Sequence, residues 1–268
     1  PLLSEKAFYR LGWCHFKSSD YQSADAAFQQ QASKFPNGKL ALDAKLMVGE
    51  CRFKQSKFET ALAAYEVARQ QIRQSDDNAK SVRDPAERKL RELVLLHGGQ
   101  SASQLKKWQD AIDWLAELRQ RFPSTSYMPQ AFYETGFAYQ QLGDTENALK
   151  FFGEVADNFR NETAARARFM MGEIHFGNKQ LDLAIPDFQR VMFGFGAERA
   201  SNKIKNWQAK SGFEAGPCSE LLLHQERSKQ SQDRARKMAM EFFGYVVDKH
   251  PDHDLVSKSR QRLEALKQ

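Results

Sequence analysis

At five places in this chain a glycine is followed twelve residues later by an alanine: Gly12/Ala24, Gly49/Ala61, Gly99/Ala111, Gly136/Ala148 and Gly172/Ala184. Four residues after each alanine stands a large apolar residue, namely Phe28, Tyr65, Leu115, Phe152 and Phe188. In two units a proline follows eight residues later, Pro36 and Pro123. A sixth, degenerate unit keeps only its second half as Ala239, Phe243 and Pro251, with Arg227 at the place of the glycine. Successive glycines are 37, 50, 37 and 36 residues apart. Self-similarity at this period is the signature of a stacked repeat array, in which each unit buries its apolar face only against its neighbours.

The spacing inside a unit sets its local structure. In QAFYETGFAYQQLGDTENALKFFGEV apolar residues recur at three and four, the period of an amphipathic helix. Gly143-Asp144 interrupts that period, so a unit reads as two antiparallel helices joined by a short turn. Gly136 and Ala148 are expected to face one another across the pair, with Phe152 filling the space beside them. Pro36, Pro123 and Pro251 end the second helix, because proline cannot continue it, and Phe35 and Phe122 are expected to pack under that exit. Pro186, inside a second helix, removes one backbone hydrogen bond there. With 15 Gly and 8 Pro but 20 Phe, the composition suits an ordered helical chain.

These positions resemble the tetratricopeptide repeat (TPR) over nearly the whole chain. The glycines fall on the eighth position of that motif, the alanines on the twentieth, the large apolar set on the twenty-fourth and the prolines on the thirty-second. Tyr21, Phe58 and Trp108 match its aromatic at the seventeenth. Lys45 and Arg168 depart from it, standing at the fourth position where an apolar residue is usual. The resemblance implies an all-α, right-handed TPR superhelix (an α-solenoid) of about five clear helix pairs, a degenerate sixth, and a C-terminal capping helix carrying Leu255, Leu263 and Leu266. Units of 36–37 residues are most similar to bacterial periplasmic TPR proteins of the Tol–Pal-associated and outer-membrane-assembly kinds. That implies the bacterial periplasm or cell envelope, with the cytoplasm as the alternative.

The organisation expected is 1–196 for units one to five, with a polar connector near 74–85, then an irregular insertion at 197–217, and the sixth unit and cap at 218–268. Leu2 and Leu3 run straight into the first unit, which leads us to expect that further repeats or another segment precede Pro1. The charge balance, 40 Lys and Arg against 34 Asp and Glu, is spread without like-charge blocks. It therefore implies a solvated surface and no nucleic-acid partner. No apolar run approaches the roughly 20 residues needed to span a bilayer, so direct membrane insertion is not expected. Three cysteines, Cys14, Cys51 and Cys218, lack metal-ligand or disulfide spacing. Cys14 and Cys51 share the tenth repeat position and are expected to be buried small hydrophobes. His250, Asp252, His253 and Asp254 cluster at a helix break, where Asp252 or Asp254 would serve as an N-cap; metal ligation is the lesser alternative there. No catalytic motif, cofactor signature or metal site is recognisable, so no enzymatic activity is expected.

Function is therefore sought on a surface. In TPR proteins the first helix of each pair lines a concave groove. Carried onto this chain, that resemblance implies a peptide-binding face built from Tyr9, Trp13, Phe16, Leu46, Phe53, Tyr133, Phe137, Phe169 and Phe176. Lys6, Lys17, Glu50, Lys54, Gln130, Gln140, Gln141, Arg166 and Glu173 would rim it. Aromatic rings offer large contact area at low entropic cost. The alternative is that curvature packs the same rings against neighbouring first helices as ordinary core. TPRs that clamp a C-terminal carboxylate carry Lys and Asn where Tyr9, Trp13, Tyr133 and Phe137 stand here, so that subclass is not expected. The expected partner is a protein or peptide segment, with self-association within a longer multi-repeat protein as the alternative role.

Overall fold

The structure is a computed structural model that describes residues 2–76 and 84–267. Every regular element among the described residues is helical, and they group into two compact units, Pro1–Gly143 and Asp144–Gln268. The first unit holds α1 (Leu2–Lys17), α2 (Tyr21–Lys34), α3 (Ala41–Lys54), α4 (Phe58–Asp76), α5 (Pro85–Gln104), α6 (Trp108–Arg121) and α7 (Met128–Gln141). Each packs on the next, and the first helices of successive pairs also meet, α3 on α5 and α5 on α7. The second unit holds α8 (Thr145–Asn158), α9 (Glu162–Gly177), α10 (Leu181–Gly194), α11 (Asn202–Gln225), α12 (Lys229–Lys249) and α13 (Val256–Lys267). Here too neighbours in sequence pack together, and α9 also meets α11. No helix among the described residues is long and apolar enough to cross a membrane.

The repeat glycine works by direct contact with a ring. A methyl group on Gly12 would lie 2.7 Å from the Phe28 ring, on Gly49 2.4 Å from Tyr65, and on Gly172 2.7 Å from Phe188. At Gly99 it would lie 2.8 Å from Leu115 Cγ. In each case the nearest atoms belong to the residue sixteen positions on, not to the alanine opposite which the glycine was expected. Phe28, Tyr65, Leu115, Phe152 and Phe188 are fully buried. Any Cβ on the first helix would push these side chains, and with them the second helix, outward.

The turn between the helices repeats as closely. Ser19, Ser56, Lys106 and Lys179 all adopt positive φ, between 58° and 62°, and Gly143 has φ 78°. Each lies seven residues after a repeat glycine. The following backbone N–H reaches back five residues, Asp20 to His15, Lys57 to Arg52, Lys107 to Ala102 and Gln180 to His175, each at 2.9 Å. This left-handed ending satisfies the last carbonyls of the first helix. Glycine stands there only once, so the turn is set by these bonds more than by residue type. At the other exit, α2, α6 and α12 end two residues before Pro36, Pro123 and Pro251, and Phe122 is buried as expected.

Several expectations are corrected. Residues 197–217, expected to be an irregular insertion, hold a 3-10 turn at Ala197–Arg199 and most of α11, with Pro217 inside the helix. The sixth unit therefore has its glycine: a methyl on Gly216 would lie 2.2 Å from the Phe243 ring, and the place assigned to Arg227 is exposed helix-connecting chain. Gly216 and Phe243 are 27 residues apart because α11 continues about one turn farther past its glycine, and α12 runs about two turns farther before its ring, than their counterparts. Whole extra turns return the ring to the same face. Cys51 is buried but Cys14 is exposed. Cys51 packs among Ala24, Phe28 and Ala44 below the preceding second helix, whereas no described helix precedes α1. Neither Asp252 nor Asp254 caps α13; instead the Leu255 N–H donates to His253 Nδ1 at 3.2 Å, and His253 Nε2 lies 3.0 Å from Asn206 Oδ1. Of the connector near 74–85, residues 77–83 lie outside the described residues, while 74–76 belong to α4 and Asp84 caps α5 by accepting from the Ala86 N–H. The terminal cap holds: α13 places Leu266 and Leu263 against Phe243 and exposes Lys258, Arg260, Arg262 and Glu264.

The corrected register is testable. Gly216→Ala should cost about 2 kcal/mol through overpacking against Phe243, whereas Arg227→Ala should change stability by less than about 0.5 kcal/mol. Urea denaturation followed by circular dichroism reads both; equal, small effects would contradict the Gly216–Phe243 contact.

Candidate functional site: the first-helix face

In the first unit, the face drawn from sequence divides between exposed rings and core. Leu46 is 2% exposed and Tyr133 3%, so both are core and offer a partner no surface. Leu46 lies among Ala61, Tyr65, Val94 and Leu95, closed in by α4 and α5. Tyr9, Trp13 and Phe16 stay half-buried on α1. Trp13 meets Tyr9, Phe16 and Phe28 edge to face at 6.3, 5.6 and 6.3 Å, and Phe16 meets Tyr21 at 5.3 Å. This edge-to-face set fixes the rings before any partner arrives. The Tyr9 hydroxyl donates to Asp43 Oδ2. Burial first, and the Asp43 carboxylate second, hold the Tyr9 hydroxyl well above the usual phenol range. Burial likewise raises Asp43, against the lowering effect of the Tyr9 bond. Phe53 and Phe137 are half-buried, each against a single second-helix ring, Phe58 at 5.4 Å and Trp108 at 5.8 Å.

A polar contact that the sequence reading missed lies in the seam between α3 and α5. Glu50 Oε1 accepts from the Tyr65 hydroxyl at 2.7 Å and is also bonded to His97 Nδ1. The His97 ring stacks on Phe53 with centroids 6.0 Å apart and planes 20° from parallel. Burial, then the charge and hydrogen bond of Glu50, raise the Tyr65 hydroxyl far above its ordinary value. Of the expected rim, Lys6, Lys17, Lys54, Gln130 and Gln141 are exposed and Gln140 is half-buried.

In the second unit the corresponding seam joins α9 to α11. Phe169 is 7% exposed and is core, wedged between Phe188 at 5.6 Å and Trp207 at 5.3 Å; Phe176 remains half-buried. Arg166 and Lys210 lie over the Trp207 ring at 5.6 and 4.6 Å. Glu173 and Glu214 occupy the register that Glu50 and His97 occupy in the first unit. Glu173 is exposed and Glu214 half-buried; partial desolvation raises both carboxyls, Lys210 partly offsetting this at Glu173 and Glu173 adding to it at Glu214. Trp207 and Glu214 were missed because the sixth repeat had been aligned on Arg227. With Gly216 as its eighth residue, Glu214 becomes the sixth, as His97 is in the third unit.

The buried charges outside these seams hold the fold. Arg168, at its unusual position, donates to Asp187 Oδ1 at 3.1 Å and to Asp157, and His175 Nδ1 lies 2.9 Å from Asp187 Oδ2. A groove of about 990 Å³ in the first unit runs between the second helices α4 and α6. On its floor Arg69 lies 4.0 Å over Trp114, and Glu117 is bound by Arg69, Arg73 and Arg121 at 2.6–3.2 Å. Burial alone would raise the Glu117 carboxyl, but Arg73 and Arg69 outweigh it and hold it below the usual range.

With this geometry in place, comparison with known proteins gives a consistent class. Residues 6–79 and 130–161 match tetratricopeptide-repeat family models. The sequence matches no curated protein. Among solved structures, a tetratricopeptide repeat protein from Parabacteroides merdae shares 14% identity, with 99% of this chain and 100% of that one covered at a TM-score of 0.59. The apo form of RapI shares 14% identity, covering 98% of this chain and 70% of its own at a TM-score of 0.62. YrrB, described as a TPR protein with an unusual peptide-binding site, shares 17% identity over 88% of this chain and 98% of its own, at a TM-score of 0.52. The fold is all-α and of the tetratricopeptide-repeat class.

The paired carboxyls give a pH-dependent prediction. Both bind protons more tightly folded than unfolded, so their ionisation opposes folding above the unfolded value of 4.5 and does so no longer well below it. Glu214→Gln should therefore raise the thermal midpoint at pH 7.5, with the gain vanishing near pH 4. A gain independent of pH, or a loss at pH 7.5, would contradict the assignment.

Proposed function

We propose that the chain is a non-enzymatic scaffold that binds an extended or helical protein segment on the first-helix face of its first unit. The observation that carries this is the set of half-exposed rings Trp13, Phe16, Phe53 and Phe137 on α1, α3 and α7, held in place by edge contacts and flanked by exposed Lys17, Lys54 and Gln141. Rings that are fixed but not covered lose little entropy on binding, and their area is suited to hot spots. Tetratricopeptide-repeat folds serve as protein-interaction scaffolds, and the peptide-binding site of the similarly folded YrrB supports the ligand class. Leu46, Tyr133 and Phe169 drop out of the face because they are core. The resemblance in repeat length is the support for placing the protein in the bacterial periplasm or cell envelope, which fractionation tests.

Self-association is a second reading, and one observation favours it. Ala7, Leu11 and Cys14 form an exposed stripe along α1, with Leu11 49% exposed, while their counterparts Ala44, Val48 and Cys51 on α3 are buried. Concentration-dependent light scattering that is abolished by Leu11→Glu would support it.

For the leading reading, the triple variant Trp13→Ala, Phe53→Ala, Phe137→Ala should lose at least about tenfold in affinity for captured segments, with the helical circular-dichroism signal retained. Unchanged capture by a folded triple variant would overturn it.

A further inference from the structure

The Glu50–His97–Phe53 contact does more than join α3 to α5. Glu50 Oε1 already accepts the Tyr65 hydroxyl proton, so the carboxylate acts on His97 Nδ1 as an acceptor too. In its neutral form the imidazole then carries its proton on Nδ1 and its lone pair on Nε2. Nε2 makes no hydrogen bond with any described residue, and it is not among the buried unpaired atoms. The side chain is 23% exposed and its ring stacks on Phe53. Two features of the local structure thus fix one ring: a carboxylate sets its tautomer and an aromatic sets its plane.

We infer that His97 is the polar contact of the first-helix face, and that its Nε2 accepts a hydrogen bond from a donor on the bound segment, a backbone N–H or a side-chain amide or cation. This deepens the proposed peptide-binding function and rests on it. A ring held at Nδ1 and stacked on Phe53 presents a single directed acceptor within a largely apolar surface. Such a group rejects segments that place an acceptor or a methyl group against it, because a desolvated polar atom left unpaired is costly. Protonation turns Nε2 into a cationic donor and inverts the preference. The titratable groups in contact with the ring are Glu50 from α3 and Tyr65 from α4. From α6, Trp114 and Leu115 cover the adjacent Gly98 and Gly99. No charged side chain of α6 or α7 hydrogen-bonds or ion-pairs with the imidazole among the described residues.

The test uses the full chain and, as probes, dodecapeptides selected on it from a random display library. Nitrogen-15 NMR of free His97 should show the Nδ1–H tautomer. Selected peptides should bind about tenfold more weakly to His97→Phe, which keeps the ring stack but removes the acceptor. Glu50→Gln, whose amide can donate to Nδ1 and move the proton to Nε2, should weaken binding without deleting the ring. An Nε2–H tautomer in the free protein, or peptides bound equally by wild type and either variant, would overturn the inference while leaving the binding face standing. Selection that yields no binding peptide would overturn both.

Discussion

Everything in this chain is positioned by a glycine on one helix lying against a large side chain on the next. The contact is so close that a single methyl group on Gly12, Gly49, Gly99, Gly172 or Gly216 would fall within 2.8 Å of its neighbour. Helix axes that approach this closely leave little freedom in how a pair closes, so each of these five pairs presents its first helix in the same way. The left-handed residue seven positions later then reverses the chain with the same hydrogen bonds each time. Within each unit a regular face of first helices follows from these two local constraints.

That regularity explains which aromatic residues are core. Residues at the fifth repeat position, Leu46, Tyr133 and Phe169, are buried, Leu46 among side chains of α4 and α5 and Phe169 between Phe188 and Trp207. Residues at the ninth and twelfth positions, such as Trp13, Phe16, Phe53 and Phe137, lie farther out and keep part of their surface. The same logic places Glu50 beside His97 in one unit and Glu173 beside Glu214 in the other. One seam is closed by a hydrogen-bonded carboxylate and imidazole; its counterpart holds two carboxyls raised by partial desolvation.

The fold was legible in the sequence because its determinants are short-range and repeat. Glycine, alanine and ring recur at fixed offsets, and five units in register leave little room for another architecture. Legibility failed where helix length changed. Three extra turns shared by α11 and α12 move Phe243 from sixteen to 27 residues beyond its glycine, so a fixed offset points to Arg227 and leaves α11 without a repeat signature. Cys14 failed for a different reason: equivalence of position predicts burial only when a neighbouring helix supplies the cover. The site was less legible than the fold. Which of the nine face residues stay open depends on packing between repeats, and the His97 contact joins residues 47 positions apart whose pairing no local pattern announces.

The central claim is that the first-helix face of the first unit, and not the groove between its second helices, receives the partner. Chemical-shift mapping of the isotope-labelled chain with a selected peptide tests this directly. The account predicts perturbations centred on Trp13, Phe53, His97 and Phe137. Perturbations centred instead on Leu62, Arg73 and Trp114, which line the α4–α6 groove, would contradict it.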